Sequence, residues 1–96
     1  MSDKQLVSLK PEVVRVLERE KSVCDVAIAR LTEKYRPLEQ EYGWTTDEFV
    51  EKFDAGEIGD KQEYFLWHAL AEASKDWQIT RESLEELLLD SEMVSA

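Results

Sequence analysis

Residues 11–42 read PEVVRVLEREKSVCDVAIARLTEKYRPLEQEY, and this stretch decides the fold. Its apolar residues recur at gaps of three, four or seven, which is the spacing of one face of an α-helix. In heptads, one position of this face holds Leu17, Cys24, Leu31 and Leu38, and the other holds Val14, Ile28, Tyr35 and Tyr42. Val16 and Val23 widen this stripe beyond a strict coiled-coil line. The pattern predicts a long amphipathic helix that packs against another helix.

Two prolines and a glycine bear on where this helix begins and ends. Pro11 suits the first turn, where a missing N–H costs nothing. Pro37 removes a hydrogen bond and costs about 3 kcal/mol inside a helix. The helix therefore either ends near Tyr35, or bends at Pro37 and continues to Tyr42 before Gly43. The second alternative is favoured because the apolar spacing stays in register beyond Pro37.

The second half of the chain predicts a short helix and then another long one. Thr45 and Glu48 form a capping box that opens a helix over about 46–54, and Asp60 with Glu63 forms a second box. A helix over about 61–89 follows, while residues 1–8 and 91–96 are expected to fray. The prediction is a single all-α domain over 1–96: a hairpin of two long amphipathic helices with a short connecting helix. Dimerisation or partner binding would complete its core.

Charge and cysteine content narrow the classes of function. The 96 residues include 22 acidic and 12 basic ones, a net charge of −10. Residues 1–48 carry a net −2 and residues 49–96 a net −8, so the second half holds most of the excess. This balance argues against direct nucleic-acid binding and against anionic membrane surfaces. One cysteine, no signal-peptide pattern and no apolar run long enough to span a membrane predict a cytoplasmic protein.

No combination of residues in the sequence indicates catalysis or a bound cofactor. His68 and Glu72 could offer two metal ligands from one helical face, but a zinc site needs three or four. Cys24 lies within the apolar stripe and is expected to behave as a small hydrophobic residue. The expectation is a protein that is not an enzyme and has no metal and no cofactor.

Aromatic residues are concentrated between positions 44 and 77. Either these side chains pack against one another in the core of the protein, or some of them contact another protein, since Trp and Tyr are common anchors at interfaces. A hairpin of two helices with one short helix cannot enclose three tryptophans, so part of this surface is predicted to contact a partner. The residues predicted to bind that partner are the following: Phe49, Phe53, Tyr64, Trp67, Leu70, Trp77, Leu84 and Leu88.

Residues 34–75 also contain short motifs that resemble a known family. These motifs are KY (34–35), YGW (42–44), TDEF (46–49), KFDAGEIGD (52–60) and YFLW (64–67). They resemble small acidic prokaryotic proteins that look like the antitoxin halves of two-gene modules beside TumE-type toxins. Trp44 and Pro37 depart from the family pattern. The resemblance implies a helical protein that inhibits a toxin by binding it.

Two hypotheses about function follow from these residues. In the first, the protein is an antitoxin that covers a basic partner with an acidic, aromatic helical face. In the second, it is a self-associating structural or adaptor protein that forms a helical homodimer and has no toxin partner.

Overall fold

A computed structural model of the chain describes the backbone of residues 9–95 and the side chains of residues 9–90. This part of the chain forms three helices and no strand: α1 (Pro11–Tyr42), α2 (Thr46–Asp54) and α3 (Gln62–Ser95). The predicted all-α class and the long helix pair are confirmed. Of the ends predicted to fray, 1–8 lies outside the described residues, and α3 continues through 91–95.

Helix α1 continues through Pro37 and ends at Tyr42. Its last turn is held because Leu38 and Tyr42 pack against the hydrophobic core, which offsets the cost of the proline. Gly43 follows in the left-handed conformation, with φ of 73°, and its N–H donates to the carbonyl of Glu39. This is the usual glycine end of a helix, where other residues would be strained.

Helix α2 begins with the predicted capping box. The Glu48 N–H donates to Thr45 Oγ1 at 3.1 Å, and the Thr45 N–H donates to Glu48 Oε1 at 2.9 Å. The second predicted box does not form in the same way, since the Glu63 carboxylate accepts a hydrogen bond from the Tyr42 hydroxyl. That contact joins the end of α1 to the start of α3.

Helix α3 runs to Ser95, six residues beyond the predicted end near Leu89. Residues 81–95 contain no glycine or proline to stop it. It pairs antiparallel with α1, as two interhelical contacts show. Lys21 Nζ lies 3.4 Å from Glu85 Oε2, and Arg81 donates to Asp25.

The core lies at the end of the hairpin where α2 packs. Phe49, Tyr64 and Trp67 are buried there, and Tyr35, Leu38 and Tyr42 of α1 pack against them. Among the side chains described, those buried between α1 and α3 away from this cluster are Cys24 and Ser74, both small. The core is therefore concentrated at one end of the molecule.

The molecule is long and thin. Its principal dimensions are 54 × 28 × 18 Å and its radius of gyration is 18.3 Å, whereas a compact domain of this length has a radius of about 12–13 Å. Much of the hairpin is thus a single layer of two helices with both sides open. Among the residues described, no helix combines the length and apolar character needed to cross a membrane.

Candidate functional site

Three of the predicted partner-binding residues lie inside the core. Phe49 and Trp67 are 0% exposed and stack face to face, with ring centroids 4.0 Å apart and planes 3° apart. Tyr64 packs against Phe49 at 5.7 Å and is also buried. These side chains stabilise the fold and present no surface to a partner.

A buried hydrogen bond fixes the orientation of Trp67. Its indole Nε1 donates to Thr46 Oγ1 at 3.1 Å, and this hydroxyl in turn donates to Glu39 Oε2 at 2.8 Å. The Thr46 N–H donates to the same carboxylate oxygen. The three helices are therefore joined through a single threonine, because Glu39 belongs to α1, Thr46 to α2 and Trp67 to α3.

Tyr42 and Glu63 form a second link between helices. The hydrogen bond to Glu63 is the main reason that the pKa of Tyr42 lies above its ordinary value, and burial and the negative charge of Glu63 act in the same direction. Neither this pair nor the Glu39–Thr46 contact could be found from the sequence. Each joins residues of different helices, and no local spacing reports such a contact.

The other predicted partner-binding residues lie at or near the surface. Trp77 is 37% exposed, and Leu70, Leu84 and Leu88 are half-buried. Phe53 is half-buried too, because its ring stacks on His68 at 4.4 Å and meets Phe65 edge-on at 5.5 Å. The structure thus leaves Trp77 and the leucines of α3, rather than the aromatic cluster, accessible to a partner.

An acidic cleft lies between α2 and α3, with a volume of about 610 Å³. The carboxylates of Asp47, Glu51 and Asp54 line it from α2, and Glu72 lines it from α3. Val50 and Ala71 also line the cleft, together with the basic groups of His68 and Lys75. We call this set of residues the acidic cleft.

His68 connects the two sides of the acidic cleft. Its Nε2 lies 3.0 Å from Asp54 Oδ1, and its Nδ1 lies 3.9 Å from Glu72 Oε2. Among the residues described, no group of three or more His, Cys, Asp and Glu side chains is placed to hold a metal ion. Cys24 is buried between α1 and α3, away from this histidine in the sequence and in the fold.

An apolar face lies on the other side of the hairpin. Trp77 lines a groove of about 360 Å³ there, together with Val23, Val26 and the stems of Arg19 and Arg30 of α1. Successive residues of an α-helix are turned by about 100°, and this spacing places further apolar residues of both helices on the same side. We define the apolar face as Val16, Val23, Val26, Leu66, Leu70, Trp77, Leu84 and Leu87, of which six are exposed and Leu70 and Leu84 are half-buried.

Charges are distributed unequally among the helices. Helix α1 carries seven acidic and six basic residues, whereas α2 has four against one and α3 has eight against two. The surface that α2 and α3 form is therefore strongly acidic, and the outer side of α1 is mixed. Such a field attracts basic proteins and repels nucleic acids.

Comparison with known proteins gives no relative: no family model, no curated protein and no solved structure matches this chain. The acidic cleft, the apolar face and the motif resemblance are the features of this chain that bear on its function.

Proposed function

We propose that this protein is a protein-binding module that inhibits a basic partner by covering it, in the manner of an antitoxin. It would act in the cytoplasm and by binding alone, without catalysis. The observation that carries the proposal is the acidic cleft, where four carboxylates surround a depression between α2 and α3.

The chemistry of the cleft favours lysine or arginine side chains. Carboxylates form charge-assisted hydrogen bonds with ammonium and guanidinium groups, and arginine can bind them through two bonds at once. Val50 and Ala71 supply an apolar contact for the aliphatic stem of such a side chain. The net charge of α2 and α3 would also accelerate encounter with a basic protein.

Exposed apolar side chains near the cleft add the contact area that an inhibitor needs. Ile79 is 52% exposed and lies one turn beyond Lys75 along α3. Phe65 is exposed as well, on the turn of α3 that precedes His68. Binding surfaces commonly place a few apolar anchors within a polar rim.

The motif resemblance supports the more specific part of the proposal. The turn at residues 56–60 and the aromatic residues Phe49, Phe53 and Trp67 are the matching elements. In this chain the aromatic elements form the core or pack beside it, so they support a shared scaffold. The toxin-binding role rests on the acidic surface.

The test is co-expression with the basic protein that a neighbouring reading frame is expected to encode. That protein should arrest growth when expressed alone, and the two should purify as a complex whose affinity falls with added salt. The double variant Glu51→Gln/Glu72→Gln should weaken binding about tenfold, since each rim charge contributes modestly.

Glu33→Gln supplies the matched control, because Glu33 is an exposed acid on α1, outside the acidic cleft. Its complex should keep the affinity of the wild type. Equal binding by the double variant and the control would show that the cleft is not the contact surface. A chain that dimerises but binds no neighbouring gene product would instead be a self-associating adaptor.

A further inference from the structure

The apolar face is open because α2 covers the opposite side of the hairpin. A helix pair is a single layer, and stable domains normally pack at least two layers around an apolar core. Exposed side chains on this face include Val23 at 44% and Leu66 at 57% of their full areas. A second layer placed here would remove the apolar face from water.

Two ion pairs show which residues of α1 and α3 lie at the same position along the hairpin. Lys21 contacts Glu85, and Asp25 contacts Arg81. Because the helices are antiparallel and these side chains are long, a residue of α1 lies within about one turn of the residue of α3 whose number brings their sum to 106. Arg30 is thus within about one turn of Asp76.

Opposite charges flank the groove of the apolar face. Arg19 and Arg30 line it from the α1 edge, beside Trp77. Asp76 precedes Trp77 on α3, a helix that carries eight acidic and two basic residues. Arg30 and Asp76 are both exposed, so they are accessible for pairing across an interface.

We propose that the apolar face binds a second copy of this chain, with α1 of each copy packed on α3 of the other. A two-fold axis parallel to the helices and lying between the layers produces this arrangement without any shift along the axis. The α1 edge with Arg19 and Arg30 then faces α3 of the second copy, where Arg30 can reach Asp76. The symmetry forms this pair twice, and the product is an antiparallel four-helix bundle.

The other two-fold packing is disfavoured by charge. An axis perpendicular to the helices would place α1 on α1 and α3 on α3. The α1 edges with Arg19 and Arg30 would then meet each other, and so would the two acidic α3 helices, which costs free energy at close range.

The size of the face fits a stable dimer. Helix α1 is about 48 Å long and two helices side by side are about 20 Å wide, so one side offers on the order of 900 Å². Standard interfaces bury about 800 Å² per partner. This surface lies opposite the acidic cleft, so the inference is independent of the proposed function.

Sedimentation equilibrium of the purified chain tests dimer formation without any other protein. The wild type should be a dimer at micromolar concentration, and Val23→Asp should shift it to monomer. Ile79→Asp is the matched control, since Ile79 is 52% exposed against 44% for Val23 but lies outside the apolar face. A monomeric wild type, or equal effects of the two variants, would overturn the proposal.

A charge exchange tests the arrangement of the helices. Arg30→Asp alone and Asp76→Arg alone should each weaken the dimer about tenfold or more, because two like-charged contacts replace two ion pairs. The double variant should return to within about threefold of the wild type. Both positions are exposed, so the variants should keep the helical content of the wild type in circular dichroism. A double variant as weak as the single ones would refute the packing of α1 on α3.

Discussion

Replacing Phe49 by alanine separates a residue of the core from a residue that binds a partner. The side chain is fully buried and its ring lies 4.0 Å from that of Trp67. Burial of a phenylalanine contributes about 1.5–3 kcal/mol, and the stacked pair adds about 0.5–1.5 kcal/mol. With the cavity left behind, we expect Phe49→Ala to lower the free energy of unfolding by about 3–5 kcal/mol.

This loss is large compared with the stability of a small domain, which is about 5–15 kcal/mol. Urea unfolding followed by far-ultraviolet circular dichroism and by tryptophan fluorescence measures it. The fluorescence combines Trp44, Trp67 and Trp77, and it is sensitive to the core because the ring of Trp67 contacts the deleted side chain. Both probes should shift together to lower urea if the core unfolds as a unit.

Phe65→Ala is the matched control, since the same side chain is deleted at a position 54% exposed on α3. We expect this variant to lose about 1 kcal/mol or less, from its edge-on contact with Phe53. A cost below about 1 kcal/mol for Phe49→Ala would refute the assignment of Phe49 to the core.

Three further predictions concern the links between helices and the proline of α1. Trp67→Phe should cost about 1–3 kcal/mol in urea unfolding, because the hydroxyl of Thr46 loses its donor in a buried site. The contribution of Tyr42 to stability should be fully present below the ordinary tyrosine pKa of 10.0 and should decline as pH rises above it, because folding raises the pKa of this hydroxyl and so favours its protonated form. In urea unfolding measured at several pH values, Tyr42→Phe should remove this part of the stability loss at alkaline pH. Pro37→Ala should raise the melting temperature and stabilise the protein by about 1–3 kcal/mol, because an exposed helical position regains its hydrogen bond. An unchanged melting temperature would show that the proline does not destabilise α1.

Local patterns in the sequence predicted the helices well. The spacing of the apolar residues from Val14 to Tyr42 predicts a helix independently of the rest of the chain, because a helix that packs on another needs one apolar face. The capping box of Thr45 and Glu48 is likewise a local arrangement of four residues, and it forms as predicted. The fold class follows from such elements, since two long helices with a short connection pair as a hairpin.

The sequence could not rank the residues of α3 by exposure. Trp67 and Trp77 both belong to the predicted helix face, yet one is fully buried and the other is partly exposed. The difference arises because α2 packs over the first turns of α3 and covers Trp67 alone. Where a short helix packs against a hairpin depends on contacts between elements, such as those of Glu39 with Thr46, which no periodicity encodes.

The position of α2 also gives the two proposed surfaces different structural support. The acidic cleft lies against the aromatic core, where three helices meet and Thr46 joins them by hydrogen bonds. Much of the apolar face lies along the part of the hairpin where Cys24 and Ser74 are the buried residues, and these bury little apolar area. Covering the face would therefore stabilise the weaker part of the fold, and the cleft on the opposite side would keep its geometry. A dimer would then present two acidic clefts on opposite sides of one bundle, each free to bind a basic partner.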